Sequence, residues 1–244
     1  ILNNFDWFGQ SVASIGDLDG DTIIDIAVGT SGDDDGGTDR GAVWILFLNA
    51  NGTVKAFQKI SDTQGNFTGI INNNDLFGGD VDIIGDLDGD NISDMVVGAR
   101  FDDDGGTDRG AVWILFLNIN GTVKAYQKIS STQGNFTGVL DNSDKFGQAV
   151  SYLGDINGDL VPDMLVGAHH DDDGNTNRGA VWILYLNPDG TIKSYQKISS
   201  TQGNFPGILD NFDEFGISVT SLGDLDGNGI IDIAVGARSD DDGS

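Results

Sequence analysis

The chain has 244 residues, with 39 acidic side chains against 12 basic ones, a net charge of −27 and no cysteine. That charge speaks against nucleic acid and anionic membrane surfaces as partners, and the missing thiols exclude disulfides and thiolate metal sites. Aspartate supplies nearly all of the acid and 37 glycines accompany it, a mixture that favours turns over helices.

The first predicted strand is FGQSVASIG (8–16), and an acidic loop (17–25) leads from it into DIAVG (25–29). A second acidic loop, DDDGGTDRG (33–41), precedes the strand AVWILFLN (42–49). NANGT (49–53) signals a hairpin, because Asn-Gly accepts the positive φ that such turns require. The last strand of the unit is VKAFQKIS (54–61). The third strand is apolar on both alternations, with Ala42, Trp44, Leu46 and Leu48 on one side and Val43, Ile45 and Phe47 on the other. Such a strand needs neighbours on both faces. Lys55 and Lys59 on the fourth strand suit a solvent edge protected from further pairing.

The unit then recurs. Phe-Gly pairs open at Phe8, Phe77, Phe146 and Phe215, a constant interval of 69 residues. No apolar run approaches the ~20 residues of a membrane helix. Four-stranded antiparallel units at a long constant period describe a β-propeller. The expected fold class is all-β, a propeller of four-stranded antiparallel blades with about 3.5 blades in this chain. Blades are expected at 8–61, 77–130 and 146–199 with a half-blade at 215–238, joined by linkers 62–76, 131–145 and 200–214. The fourth copy stops after two strands, so a further chain segment or self-association is expected to complete it.

In the first acidic loop, Asp17, Asp19, Asp21 and Asp25 occupy positions 1, 3, 5 and 9. Four carboxylates so close repel one another unless a counter-ion joins them. Hard oxygen donors that converge on one point suit Ca²⁺. The backbone carbonyl of position 7 is the expected additional ligand: Ile23, Ile92, Val161 and Ile230. The other sets are Asp86, Asp88, Asp90 and Asp94; Asp155, Asn157, Asp159 and Asp163; and Asp224, Asp226, Asn228 and Asp232. One Ca²⁺ per loop is expected. Position 6, often glycine in such loops, is Thr22, Asn91, Leu160 and Gly229, so the third loop, with Leu160 and Asn157, is expected to bind most weakly. In the second acidic loop, Asp33, Asp35 and Asp39 either hold another cation or form a polar turn neutralised by Arg40, with Arg109 and Arg178 in the later copies. The polar turn is the preferred reading.

The FG openings, the DxDxDxxxD loops and the VGT or VGA stretches at 28–30, 97–99, 166–168 and 235–237 together resemble the FG-GAP repeat of integrin α-subunit propellers and their bacterial relatives. Two features depart from that pattern: the proline of GAP is missing in every copy, and the family's propellers usually carry seven blades. The resemblance implies a calcium-binding, extracellular recognition or adhesion module, secreted or at the cell surface and without catalysis. It also implies a protein or glycan ligand on the face opposite the calcium loops. Up-and-down topology groups the calcium loops with the Asn-Gly turns, and the second-to-third loops with the linkers. Residues ahead of the Asp triplet break the repeat, and Arg100, Phe101, His169, His170 and Arg238 are the ligand-face candidates. Adjacent histidines are expected to point opposite ways and make a poor metal pair. Two other readings are a carbohydrate-binding propeller with sugar held between blades, and a structural or assembly-forming array. Near-identical blades argue against an enzyme, which needs one asymmetric site.

Overall fold

The computed structural model describes residues 2–241, and the end of the fourth copy's Asp triplet lies outside them. The first sheet runs in order through β1 (Phe8–Gly16), β2 (Asp25–Thr30), β3 (Ala42–Leu48) and β4 (Val54–Ile60). The second holds β5 (Val81–Gly85), β6 (Asp94–Ala99), β7 (Ala111–Leu117) and β8 (Val123–Ile129). The third holds β9 (Ala149–Gly154), β10 (Asp163–Ala168), β11 (Ala180–Leu186) and β12 (Ile192–Ser199). β13 (Phe215–Gly223) and β14 (Asp232–Ala237) form the two-stranded half-blade. Pairing within every sheet is antiparallel. No helix occurs among the described residues. This is the all-β propeller architecture, with about 3.5 blades.

The double-sided third strand has a physical account. One core lies between the first two blades and takes Val43, Ile45 and Phe47 from β3 together with Met95, Val97 and Trp113 from the next sheet. A second core joins Val112, Ile114 and Phe116 to Met164, Val166 and Trp182. Each full sheet between two neighbours is therefore buried on both faces, and its central strands must be apolar throughout. Leu115 and Ile114 on β7 are both fully buried. Linker aromatics complete each seam: Phe67 stacks on Phe77 at 5.5 Å and meets Trp113 edge-on at 5.2 Å. Phe136 does the same with Phe146 and Trp182.

Glycine sets the approach of one blade to the next. A Cβ placed on Gly98 of β6 would lie 2.1 Å from the carbonyl oxygen of Gly147, which opens the following blade. Gly147 in turn donates its N–H to the carbonyl of Gly167 at 3.1 Å. The glycines of the FG and VG stretches thus interlock from blade to blade, and a methyl group has only backbone to push against. Gly98→Ala is expected to cost about 1–3 kcal/mol, the usual penalty of overpacking. Chemical denaturation measures it; an unchanged midpoint would contradict this seam.

The innermost strands β1, β5, β9 and β13 neighbour one another in sequence order. Asp80 ties three blades there: its Oδ1 accepts from Ser11 Oγ at 2.6 Å and its Oδ2 from the Val150 N–H at 2.8 Å.

Candidate metal loops and the opposite face

Each acidic loop is wound by its own carboxylates. Asp17 accepts from the N–H groups of Asp21 at 2.9 Å and Thr22 at 2.8 Å. The side chain at position 5 then fixes the N–H of the residue expected to lend a carbonyl: Asp21 to Ile23 at 2.8 Å, Asp90 to Ile92 at 2.9 Å, Asp159 to Val161 at 3.0 Å and Asn228 to Ile230 at 2.7 Å. Position 6 is left-handed in all four loops, with φ of 73° at Thr22, 67° at Asn91, 67° at Leu160 and 86° at Gly229. Glycine adopts that conformation freely and leucine does not. Leu160 is also 91% exposed, so nothing in the fold repays its strain.

Position 9 anchors the loop to the blade. Asp25 is fully buried, and its two oxygens accept from Leu18 at 3.1 Å and from Leu48, at the end of β3, at 2.9 Å. Asp94 repeats this with Leu87 and Leu117, and Asp163 with Ile156 and Leu186. Burial pushes the carboxyls of Asp94 and Asp163 up to about 6, against those hydrogen bonds. Residues read as four equivalent ligands thus divide into winding, central and anchoring roles.

Carboxylate oxygens of Asp17, Asp19 and Asp25 lie within 4.8 Å of one another, as do those of Asp86, Asp88 and Asp90, and of Asp224, Asp226 and Asp232. Asp19 Oδ1 is buried without a hydrogen-bond partner. A positive charge already lies beside these groups. Lys55 Nζ stands 2.7 Å from Asp19 and also pairs with Asp21. Lys124 stands 2.8 Å from Asp88 and pairs with Asp90, and Lys193 is 2.5 Å from Asp159. An all-oxygen, strongly anionic donor set with an orphaned oxygen fits a hard divalent cation. The third loop differs. Asn157 spends its amide N–H on Asp163 at 3.3 Å and its oxygen on the N–H of Asp159 at 3.0 Å.

The second acidic loops are neutralised by a residue not expected there. Lys59, read from the alternation as a solvent-edge residue, is buried and pairs with Asp33 and Asp35, both at 2.7 Å. Lys128 and Lys197 make the same contacts with Asp102 and Asp104, and with Asp171 and Asp173. The register sets Lys59 opposite Trp44, and its ammonium lies 5.3 Å from the indole centroid. The inner end of the fourth strand is roofed by the second loop, so its lysine turns inward. Arg40 pairs instead with Asp62 at 2.5 Å, while Arg109 and Arg178 donate to Asn142 and Asn211.

A second carboxyl sits beside each buried pair. Asp144 is 2% exposed and accepts from the Asp141 N–H at 2.7 Å. Burial, reinforced by the charge of Asp171, pushes it up to about 8; Asp75, beside Asp102, rises to about 7 for the same reasons. The folded chain therefore holds protons that the unfolded chain releases near pH 4. The resulting stability is complete below that pH and is lost as pH rises through about 7 to 8. Asp144→Asn keeps the acceptor and removes the charge. It is expected to raise the melting temperature more at about pH 8.5 than at about pH 5. Thermal melts at the two values check this, and an equal shift at both would contradict it.

Comparison with known proteins bears on this repeat directly. The FG-GAP repeat family matches residues 8–46 and again residues 140–184. Integrin alpha-PS2 of Drosophila melanogaster is 30% identical over 98% of this chain, and integrin alpha pat-2 of Caenorhabditis elegans is 29% identical over 95% of it. The chain belongs to the integrin α-like FG-GAP family. Integrin alpha-6 of Gallus gallus is 37% identical over 67% of the chain. The chain spans only 14–18% of the length of these three relatives.

At the other end of the FG-GAP blades, the second-to-third loops meet the linkers. The Asn74 N–H donates to Thr38 O at 2.9 Å and the Phe77 N–H to Arg40 O at 2.9 Å. Here the repeat-breaking residues come together. His169 and His170 sit in the turn after β10, where strand alternation does not apply. Their rings lie 4.2 Å apart rather than pointing opposite ways, and both approach Glu214. Arg238 forms an ion pair with Glu214, Nε to Oε2 at 2.5 Å. Arg100 lies over the ring of Phe101, at 5.2 Å from its centroid. Lys145 lies over the same ring at 4.8 Å. Lys145 and Glu214 were not among the candidates. The signal for them was present, since the position before each FG reads Trp7, Leu76, Lys145 and Glu214.

Proposed function

We propose that this chain is part of a calcium-stabilised, extracellular recognition module of the adhesion type, non-catalytic, which binds its ligand through the face opposite the calcium loops. One observation carries the reading. Residues that repeat from blade to blade gather in the acidic loops, whereas those that break the repeat gather at the opposite end. Asp17, Asp19, Asp21 and Asp25 would hold one Ca²⁺ with the carbonyl of Ile23, and the corresponding residues of the other loops would do the same. The bound ion would neutralise the carboxylates and stiffen the turn. Extracellular calcium is abundant enough to fill loops of modest affinity, in the range of extracellular modules. The integrin α names of the relatives support an adhesion role at the cell surface. The test is capture of cell-surface or matrix proteins by the immobilised chain, with and without chelator. Calcium-dependent capture, reduced by substitutions at the far face, is expected; capture that ignores both would sink the reading.

A carbohydrate-binding reading has one observation in its favour. A cleft of about 270 Å³ on the third blade is lined by Trp182, Tyr195, Lys197 and Gln202, and its counterpart of about 250 Å³ recurs on the second at Trp113, Tyr126, Lys128 and Gln133. Aromatic walls beside polar groups are what a sugar uses. A glycan array decides between the two readings.

A further inference from the structure

In a chain with 39 acidic and 12 basic side chains, every cation should find a carboxylate. Eight of the twelve do, among the described residues. Arg109 and Arg178 donate instead to the side chains of Asn142 and Asn211. Arg100 and Lys145 have neither among the described residues, and they are neighbours, sharing the Phe101 ring at 5.2 and 4.8 Å. Both are half-buried. The acids whose charge reaches them are engaged elsewhere or stand off. Asp80 spends its oxygens on Ser11 and Val150, and Glu214 is taken by Arg238. Asp108 acts on Lys145 only at a distance. Beside the pair, His169 is 4% exposed and its Nδ1 has no hydrogen-bond partner.

From this juxtaposition we infer that Arg100 and Lys145, on the Phe101 ring beside His169, form a subsite for a carboxylate presented by an acidic segment of a protein ligand. Two like charges held together and partly desolvated favour an anion between them. A guanidinium fork matches a planar carboxylate in two hydrogen bonds. The same cations oppose a metal at His169, His170 and Glu214, although those three groups lie close enough to share one. A long sulfated polymer needs a cationic stripe, whereas here the surrounding surface carries most of a net charge of −27. Such a surface repels a polyanion along its length, while one or two carboxylates can dock locally because salt screens the remaining field within ~8 Å. All of these positions break the repeat, which is where a chain of near-identical blades can encode one specific site.

The inference deepens the proposed reading, since it gives the chemistry of the ligand on that face. Calorimetric titration of the whole chain in calcium and physiological salt tests it, with a tetraglutamate peptide as probe and a heparin-derived tetrasaccharide as competitor. Saturable binding of the peptide is expected, weakened at least about tenfold by Arg100→Gln and by Lys145→Gln, as for loss of a charge-assisted hydrogen bond. Arg178→Gln, whose arginine is held by Asn211 at the blade edge, should leave it unchanged. Melting curves verify that each variant folds, and the more exposed Lys145 variant carries the test if Arg100→Gln does not. No saturable binding, binding indifferent to both variants, or binding of the tetrasaccharide alone would overturn the inference. If the immobilised chain captures no surface protein yet the peptide titration behaves as expected, the adhesion reading falls and this subsite stands.

Discussion

Removal of calcium is expected to lower the melting temperature of this chain by roughly 12–24 °C. The magnitude follows from linkage. A site held at about ten times its Kd stabilises the native state by about 1.4 kcal/mol, and four such loops by about 6 kcal/mol. For a domain of this size each kcal/mol shifts the melting point by ~2–4 °C. The loops couple to the fold because position 9 is shared: Asp25 closes the loop through Leu18 and fastens it to the end of β3 through Leu48. Without the ion, Lys55, Lys124 and Lys193 supply part of the missing positive charge, which keeps the loss below complete unfolding. Differential scanning calorimetry in calcium and in chelator measures the shift. Identical transitions in the two buffers would mean that the acidic loops are ordinary polar turns.

The second large effect concerns the buried lysine. Lys128 is 5% exposed and lies 2.6 Å from Asp102, which is fully buried, and 2.9 Å from Asp104. Burial already pushes the carboxyl of Asp102 upward, and the ammonium opposes that rise. Lys128→Met preserves much of the packing on Trp113 but leaves Asp102 uncompensated in the seam between two blades. Breaking one partner of a buried ion pair typically costs about 3–5 kcal/mol, a large share of the ~5–15 kcal/mol that holds a domain together. The double variant Lys128→Met with Asp102→Asn should recover a substantial part of the loss, because the orphaned charge is gone. By contrast Lys124→Met, which removes an exposed lysine, should cost under about 1 kcal/mol in calcium. Urea unfolding of the three variants separates these cases. Equal losses for Lys128→Met and Lys124→Met would contradict the assignment of Lys128 to the core.

The strands were legible because two periodicities coincide in this chain, the alternation within each strand and the 69-residue repeat between blades. The two-sided apolar pattern shared by Ala42–Leu48 and its copy Ala111–Leu117 called for a sheet packed between sheets, and the cores on either side of the second blade bear that out at Ala111–Leu117. What failed was the reading of polar residues by strand alternation alone. Lys55 and Lys59 share one face of β4, yet Lys55 reaches the first acidic loop and Lys59 is buried under the second. Their fates depend on which loop folds over each end of the strand, a fact about tertiary structure rather than spacing. His169 and His170 failed for a related reason: the strand stops at Ala168, and the turn beyond it brings the rings together. The far face was half legible. Variation ahead of the Asp triplet pointed to Arg100 and Phe101, and the same variation ahead of the FG pairs, at Lys145 and Glu214, went unread.

The central claim is that the loops at 17–25, 86–94, 155–163 and 224–232 each close around a divalent cation. Anomalous diffraction from crystals grown in calcium and exchanged into a lanthanide tests it most directly. One peak inside each loop is expected, within reach of the carboxylates at positions 1, 3 and 5, with the lowest occupancy in the loop of Asn157 and Leu160. Well-ordered loops with no peak, and Lys55 and Lys124 still seated on their aspartates at saturating metal, would contradict it.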